Sequence, residues 1–546
     1  MTQADTQYKI LIEDILKNGI SDEGSDVRTV WADGSPAHTV SSFGKQIEFD
    51  GSELPILTTK RVAWKTAIKE MLLFWVRQTT QEKDFNKENV SIWAEWFKDG
   101  NLGRSYAYQF ESHRHHNREI IKVDTITKTK SVTLPPTYNM ERLEVNELCT
   151  DELCGNIIDS QNSGKFIVLD IFNNDKEHNY LKMSKIQFLE TGYTTVITKE
   201  NAKKGKAKDL YFRRVCGVGY EGDVSSVKNY TKDEVSKLRS RWTSMLKRCY
   251  DSSNNRYHRY GGIGVFVDSE WHSFENYLRD IRSLPQFSLA REKSFSGYNL
   301  DKDYYNSNCY SKETCVWLSV KDNITYTRKP IILISDNGKE ELFLNISDAE
   351  KKYSLHNLSS ILADKVGHKT SKGYTAKYVD DGNTYRYELS RNQVNELLYN
   401  IKNNPQSRRL MTSFWNFADV DKKQLQECAW ATNWNVSDGK LDLILIQRSV
   451  DTVLGQPFNW FQYSVLQHMI AHVSGLEVGK FIHQTGNVHV YTRHIEDIAK
   501  QIEREQFEAP QLWINPEVKN FYDFTIDDFK LIGYKHGEKI PYEVAI

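Results

Sequence analysis

No stretch of this 546-residue chain approaches the roughly 18 consecutive apolar residues that a membrane-spanning helix needs, so no such span is expected. The opening Met1-Thr2-Gln3-Ala4-Asp5 lacks the basic-then-apolar plan of a secretory signal. Cysteine is sparse: seven residues, an odd number, with no short disulfide-style spacing, which suits a reducing cytoplasm. Charge of either sign is not in excess overall, with 72 Lys and Arg against 73 Asp and Glu. Its distribution is uneven, since residues 201–330 hold 24 basic against 15 acidic side chains. What is present points to a globular protein of two or three domains: 39% hydrophobic, 27% charged and 12% aromatic residues.

The apolar spacing of Tyr8, Leu11, Ile12, Ile15 and Leu16 predicts a helix over 8–18, and a more strongly apolar one follows at 66–77. Alternation predicts strands at 441–447, 165–171 and 192–197. Pro457-Phe458-Asn459 leads into a helix expected from about 460 to 473.

Chemistry concentrates in the last 140 or so residues. Ser407-Arg408-Arg409, Cys428, Gln447-Arg448-Ser449-Val450-Asp451, Gln456-Pro457-Phe458-Asn459 and His489-Val490-Tyr491 follow in order. Arginine forks suit a phosphate dianion. A cysteine thiolate suits attack on an electron-poor ring carbon, and nearby arginines are expected to lower its pKa. An amide can read the donor and acceptor edge of a base. Together these fit a covalent enzyme acting on a nucleoside monophosphate.

The same segments resemble the thymidylate synthase family. At the amino end the likeness runs through Pro55-Ile56-Leu57-Thr58-Thr59-Lys60, the Glu70 helix, Ser91-Ile92-Trp93-Ala94-Glu95-Trp96 and Leu102-Gly103-Arg104-Ser105-Tyr106. At the carboxyl end it runs from Asn404 to the terminal Val544-Ala545-Ile546, and it covers roughly 1–112 and 386–546. Three positions depart from the family pattern: Glu427 stands where a proline usually precedes the cysteine, Ala429 where a histidine follows, and Asn487 where an aspartate precedes His489.

The resemblance implies an α/β (α+β) synthase fold with a bent mixed sheet, acting as a homodimer in the cytoplasm. It implies dUMP and 5,10-methylenetetrahydrofolate as substrates, with dTMP and dihydrofolate as products. Cys428, Glu70 and Tyr106 would be catalytic. Arg28, Gln447, Arg448, Ser449, Asn459, His489 and Tyr491 would bind dUMP, with Arg408 and Arg409 reaching in from the other subunit. Lys60, Trp93, Trp96, Asp451 and the carboxylate of Ile546 would serve the folate. A dUMP hydroxymethyltransferase, in which water quenches the exocyclic methylene, shares nearly all of these residues. The synthase itself needs no metal.

Between the two halves lie about 270 residues, too many for a structureless loop. Residues 113–220 read as a β-rich start. Residues 221–330 resemble phage HNH endonucleases, an α+β domain, through Leu300-Asp301-Lys302-Asp303, Glu313-Thr314-Cys315-Val316-Trp317 and Asn323. Residues 331–385 resemble the helix-turn-helix modules that accompany such nucleases. Lys302 stands where the nuclease base is usually histidine, and lysine is a poor base near neutrality. Asp301, Asp303 and Asn323 remain candidate ligands for a divalent metal, and the basic stretch suggests DNA as a partner. A homing or DNA-binding protein hosted in a synthase is therefore a third reading. Zinc held by Cys249, Cys309, Cys315 and His258 or His272 lacks the usual CxxC pair. An intein is disfavoured, because His356-Asn357 is followed by Leu358.

Overall fold

The computed structural model describes residues 2–111, 119–130, 143–173, 181–365 and 369–545. The chain divides into two compact units, Met1–His116 with Ser390–Ile546, and Asn117–Leu389.

The first unit is built on a six-stranded mixed sheet. Its strands are β1 (Ile20–Ser21), β2 (Thr39–Phe49), β3 (Met411–Ser413), β4 (Ala429–Ser437), β5 (Lys440–Asp451) and β6 (Glu477–Tyr491), in spatial order β1-β2-β6-β5-β4-β3. The β5–β6 pair is parallel and every other pair antiparallel. Its α-helices of eight or more residues are α1 (Gln3–Asn18), α2 (Trp64–Met71), α3 (Gln393–Asn403) and α4 (Gly455–Ser474).

Helix α1 extends the expected 8–18 helix toward the amino end because the Thr2 hydroxyl caps it, accepting from the Asp5 N–H. Helix α2 widens into a π-type turn over Leu72–Arg77. Such a turn lets every side chain from Leu72 to Val76 reach the core. Helix α4 begins at Gly455, earlier than the expected 460. Pro457 sits in its first turn, where the missing N–H has no partner to lose. Trp460, Phe461, Val465, Leu466, Met469 and Ile470 are all fully buried, so α4 is a central helix rather than an amphipathic one. Strand β5 outruns the expected 441–447 because its pairing with β6 runs on past the alternating Leu441–Gln447 stretch to Asp451, opposite His489.

The second unit carries its own cores. A four-stranded antiparallel sheet, Ile157–Asp159, Lys165–Asn173, Lys182–Phe188 and Thr194–Thr198, buries Phe166, Val168, Ile186 and Phe188. The expected 192–197 strand starts two residues late, because Gly192 takes a positive φ in the turn before it. The helix Lys232–Tyr250, closed by a Thr231–Glu234 capping box, lays Leu238, Trp242, Met245 and Leu246 into a second core with Trp271, Phe274 and Trp317. The strands Tyr298–Asp301 and Val316–Ser319 pair antiparallel, and the helix Val320–Tyr326 follows directly. Two short helices, Ile346–Tyr353 and Leu358–Leu362, share a third core with a three-stranded sheet that periodicity had not revealed.

The cysteine reading needs correction. Cys149 and Cys154 are joined by a disulfide, because turns at Asn146–Cys149 and Asp151–Cys154 fold the segment back and set the two Cα atoms 6.4 Å apart. Asp170 lies close to both sulfurs, but joined in a disulfide neither is a thiolate ligand for a metal. Cys249, Cys309 and Cys315 are instead buried as core residues.

Candidate functional site

A cavity of roughly 230 Å³ opens in the first unit where α2, α4 and the sheet meet. Cys428, immediately before β4, lines it together with Glu70 of α2, Asn459 of α4, Gln447 of β5, Trp93 and Tyr106. Residues more than 380 positions apart in sequence are thus brought to one wall.

Both carboxylate oxygens of Glu70 are satisfied. The Trp93 indole N–H donates to Oε1 at 2.6 Å, and Gln462 Nε2 donates to Oε2 at 2.6 Å. Burial still pushes its pKa up to about 7, since desolvation of the charged form outweighs these bonds. Phe74 stacks on Tyr106 at 5.0 Å between ring centres and meets Trp93 edge-on at 5.3 Å, which keeps the carboxylate's surroundings apolar.

Cys428 is held by its neighbours on both sides. Its backbone N–H donates to the Tyr106 hydroxyl at 3.4 Å, and Arg448 Nη2 lies 3.9 Å from its Sγ. Arg448 also donates to the carbonyls of Glu427 and Gln426, which fixes the guanidinium beside the thiol. Burial raises the thiol pKa, and Arg448 draws it back only in part. The expectation that arginines alone would lower it is therefore reversed: desolvation wins in the free protein.

Tyr106 has a φ of +43°, a strained value for an aromatic residue. Glu427 holds it there by accepting the Tyr106 N–H at 2.9 Å. The second Glu427 oxygen meets Lys423 Nζ at 2.6 Å, with both side chains fully shielded from solvent. Glu427 departs from the family pattern, and nothing in the local sequence singles out Lys423.

Gln447 Nε2 donates to Asn459 Oδ1 at 3.1 Å, so these two amides act as a unit. Lys60 is buried, donates to the carbonyl of Val453 and has its pKa lowered by desolvation to about 8. Asp451 accepts the N–H groups of Val453 and Leu454, at 2.8 and 3.1 Å, just before α4 begins. His489 Nδ1 contacts Asn487 Oδ1 at 2.8 Å, so the amide at the family's aspartate position still orients the ring. Burial lowers the His489 pKa, and its ring lies 5.3 Å edge-on from Tyr491.

Other expected site residues do not line this cavity. Arg28, Arg408 and Arg409 are exposed, Ser449 and Trp96 half-buried, and Ile546 lies outside the described residues. In the second unit, Asp301 accepts from Asn323 Nδ2 at 2.7 Å and burial lifts its pKa to about 6, while Lys302 pairs with Asp303. Gln462 was missed in the sequence, although it sits three residues after Asn459 on the same helix face.

Comparison with known proteins adds the family. The thymidylate synthase family model matches residues 6–138 and 349–546. A protein named thymidylate synthase from Bacillus subtilis subsp. natto is 29% identical over the full length of both chains. Another of that name, from Bacillus atrophaeus, is 53% identical over 175 residues, 30% of this chain and 77% of that protein. The solved structure of a thermostable thymidylate synthase A from Bacillus subtilis is 28% identical, with a TM-score of 0.48 and full coverage of both chains. This chain belongs to the thymidylate synthase family.

Proposed function

We propose that the chain carries out the reductive methylation of dUMP to dTMP with 5,10-methylenetetrahydrofolate, releasing dihydrofolate. The observation that carries this reading is the convergence of Cys428, Glu70 and Asn459, from three separate elements, on one small cavity. The cavity also suits a flat heterocycle: Trp93 and Phe458 line it, and Ile92 beside them is left 51% exposed.

The Cys428 thiolate, favoured by the Arg448 cation beside it, adds to C6 of uracil and makes C5 nucleophilic. Glu70, ionised and held by Trp93 and Gln462, accepts the C5 proton through water. The folate supplies both the one-carbon unit and the hydride, and as hydride reaches the exocyclic carbon the C6–S bond breaks and returns the Cys428 thiolate. Tyr106 holds the nucleophile's backbone. Asn459, aligned by Gln447, reads N3 and O4 of the base. Arg28, Arg448 and Ser449 take the phosphate with Arg408 and Arg409 of the partner subunit, and His489 and Tyr491 hold the 3′-hydroxyl. Lys60, Trp93, Trp96, Asp451 and the terminal carboxylate of Ile546 serve the folate. Incubating the protein with dUMP and the folate and weighing the product nucleotide tests this. A methyl product supports it, and a hydroxymethyl product assigns the alternative.

We propose that the segment 113–385 is a DNA-binding insertion, with 221–330 a degenerate HNH-like nuclease. The hairpin Tyr298–Asp301 and Val316–Ser319 with its following helix, and the basic excess over 201–330, support it. With Asp301 engaged by Asn323 and Asp303 by Lys302, binding is favoured over cleavage.

A further inference from the structure

Behind the base-reading amide runs a chain of hydrogen-bonded polar side chains inside the core. The Trp460 indole N–H donates to His483 Nδ1 at 2.9 Å. His483 Nε2 lies 3.0 Å from Gln447 Oε1. Gln447 Nε2 lies 3.1 Å from Asn459 Oδ1 and 3.2 Å from the carbonyl of Ser449. Trp460 and His483 are fully shielded from solvent. The chain starts and ends on adjacent residues of α4, having passed through β6 and β5.

The direction of every bond is forced from both ends. An indole nitrogen can only donate, so His483 Nδ1 carries no proton and Nε2 carries it. That proton meets Gln447, whose oxygen must therefore face the ring. At the other end a backbone carbonyl can only accept, so the Gln447 NH₂ must face Ser449 and, with it, Asn459. Burial holds the His483 pKa near 3, so the imidazole stays neutral and cannot reverse the chain by gaining a second N–H.

We infer that Trp460 and His483 are positioning residues that fix the order of donor and acceptor on the Asn459 amide, and so make the site select uracil over cytosine. Uracil offers an N–H at N3 and an oxygen at O4; cytosine offers an acceptor at N3 and an amine at C4. An amide whose oxygen is pinned by Gln447 matches one of these edges and mismatches the other. The inference rests on the reading of Asn459 as the base-recognition residue. Neither Trp460 nor His483 lines the cavity, so they act only through Gln447 and Asn459.

The test joins a spectrum to a ratio. Nitrogen-15 NMR of the intact wild-type protein should show the His483 ring protonated at Nε2, and a proton on Nδ1 overturns the inference. Trp460→Phe keeps the bulk and removes the donor, freeing the ring to change tautomer or turn over and leaving the Ser449 carbonyl as the one remaining fixed partner that orients the Gln447 amide. The ratio of kcat/KM for dUMP to that for dCMP should then fall roughly tenfold, the scale of one misdirected hydrogen bond. His483→Phe should lower the same ratio by stranding the Gln447 oxygen. An unchanged ratio in a folded Trp460→Phe overturns the inference, since a purely packing role predicts loss on both nucleotides alike. If that variant does not fold, the wild-type spectrum still decides. Asn459→Asp separates the two readings: it should shift preference toward dCMP. If it does and Trp460→Phe does not, the relay alone fails; if Asn459→Asp leaves the ratio unmoved, the reading of Asn459 fails with it.

Discussion

Glu427 and Lys423, one helical turn apart in sequence, form an ion pair sealed from solvent immediately before the cavity cysteine. The family's usual residue at 427 is proline, which stiffens a chain without charge. Here stiffness comes from a carboxylate that holds the strained backbone of Tyr106 with one oxygen and a buried ammonium with the other. Lys423 also donates to the carbonyl of Phe414, which compensates its desolvation.

Removing one partner should cost more than removing both. Lys423→Met leaves a buried carboxylate unpaired, and a loss of about 3–5 kcal/mol is expected. Adding Glu427→Gln, which keeps an acceptor for the Tyr106 N–H, should recover most of it. Urea unfolding of the two single variants and the double variant measures the coupling. Additive losses would mean that the pair does not act as one.

Glu70 should make stability depend on pH. Its carboxyl is held near 7 in the folded chain against an ordinary value of 4.5. Between those values the folded state keeps a proton that the unfolded chain has released, so stability falls as pH rises through that window. The fall should approach about 3 kcal/mol above pH 7. Glu70→Gln should flatten the profile between pH 4.5 and 7, and a variant with the wild-type slope would assign the dependence elsewhere.

Much of the first unit was legible because its signals are local. The α1 stripe, the β5 alternation and the motifs around Cys428, Glu70 and Asn459 each lie within a dozen residues. Most of what the sequence does not reveal is non-local. Lys423 reads as a surface lysine until the fold closes over it. Trp460 and His483 lie 23 residues apart on different elements, and neither carries a spacing that announces the other. Pro457 was read as a boundary, although a first-turn proline belongs inside a helix. The Cys149–Cys154 pair was overlooked because only a fold-back of the intervening turns makes it close.

The segment 113–385 should be removable. Gln393 donates to the carbonyl of Gln109 at 2.9 Å, so the flanks of the insertion are bonded to one another and a short linker can span them. The deletion protein should stay soluble and form dihydrofolate only when dUMP is present. The excised segment should bind duplex DNA with an affinity that falls steeply with salt. An insoluble or inactive deletion protein would show that the insertion has become part of the synthase, and a segment that ignores DNA at low salt would make it a structural remnant.

The most direct test is Cys428→Ser. The hydroxyl preserves shape and loses the thiolate, so dUMP should still bind while dUMP-dependent dihydrofolate formation drops by more than roughly 10³-fold. Near-normal turnover by the serine variant would remove Cys428 from the reaction and, with it, the account of this site.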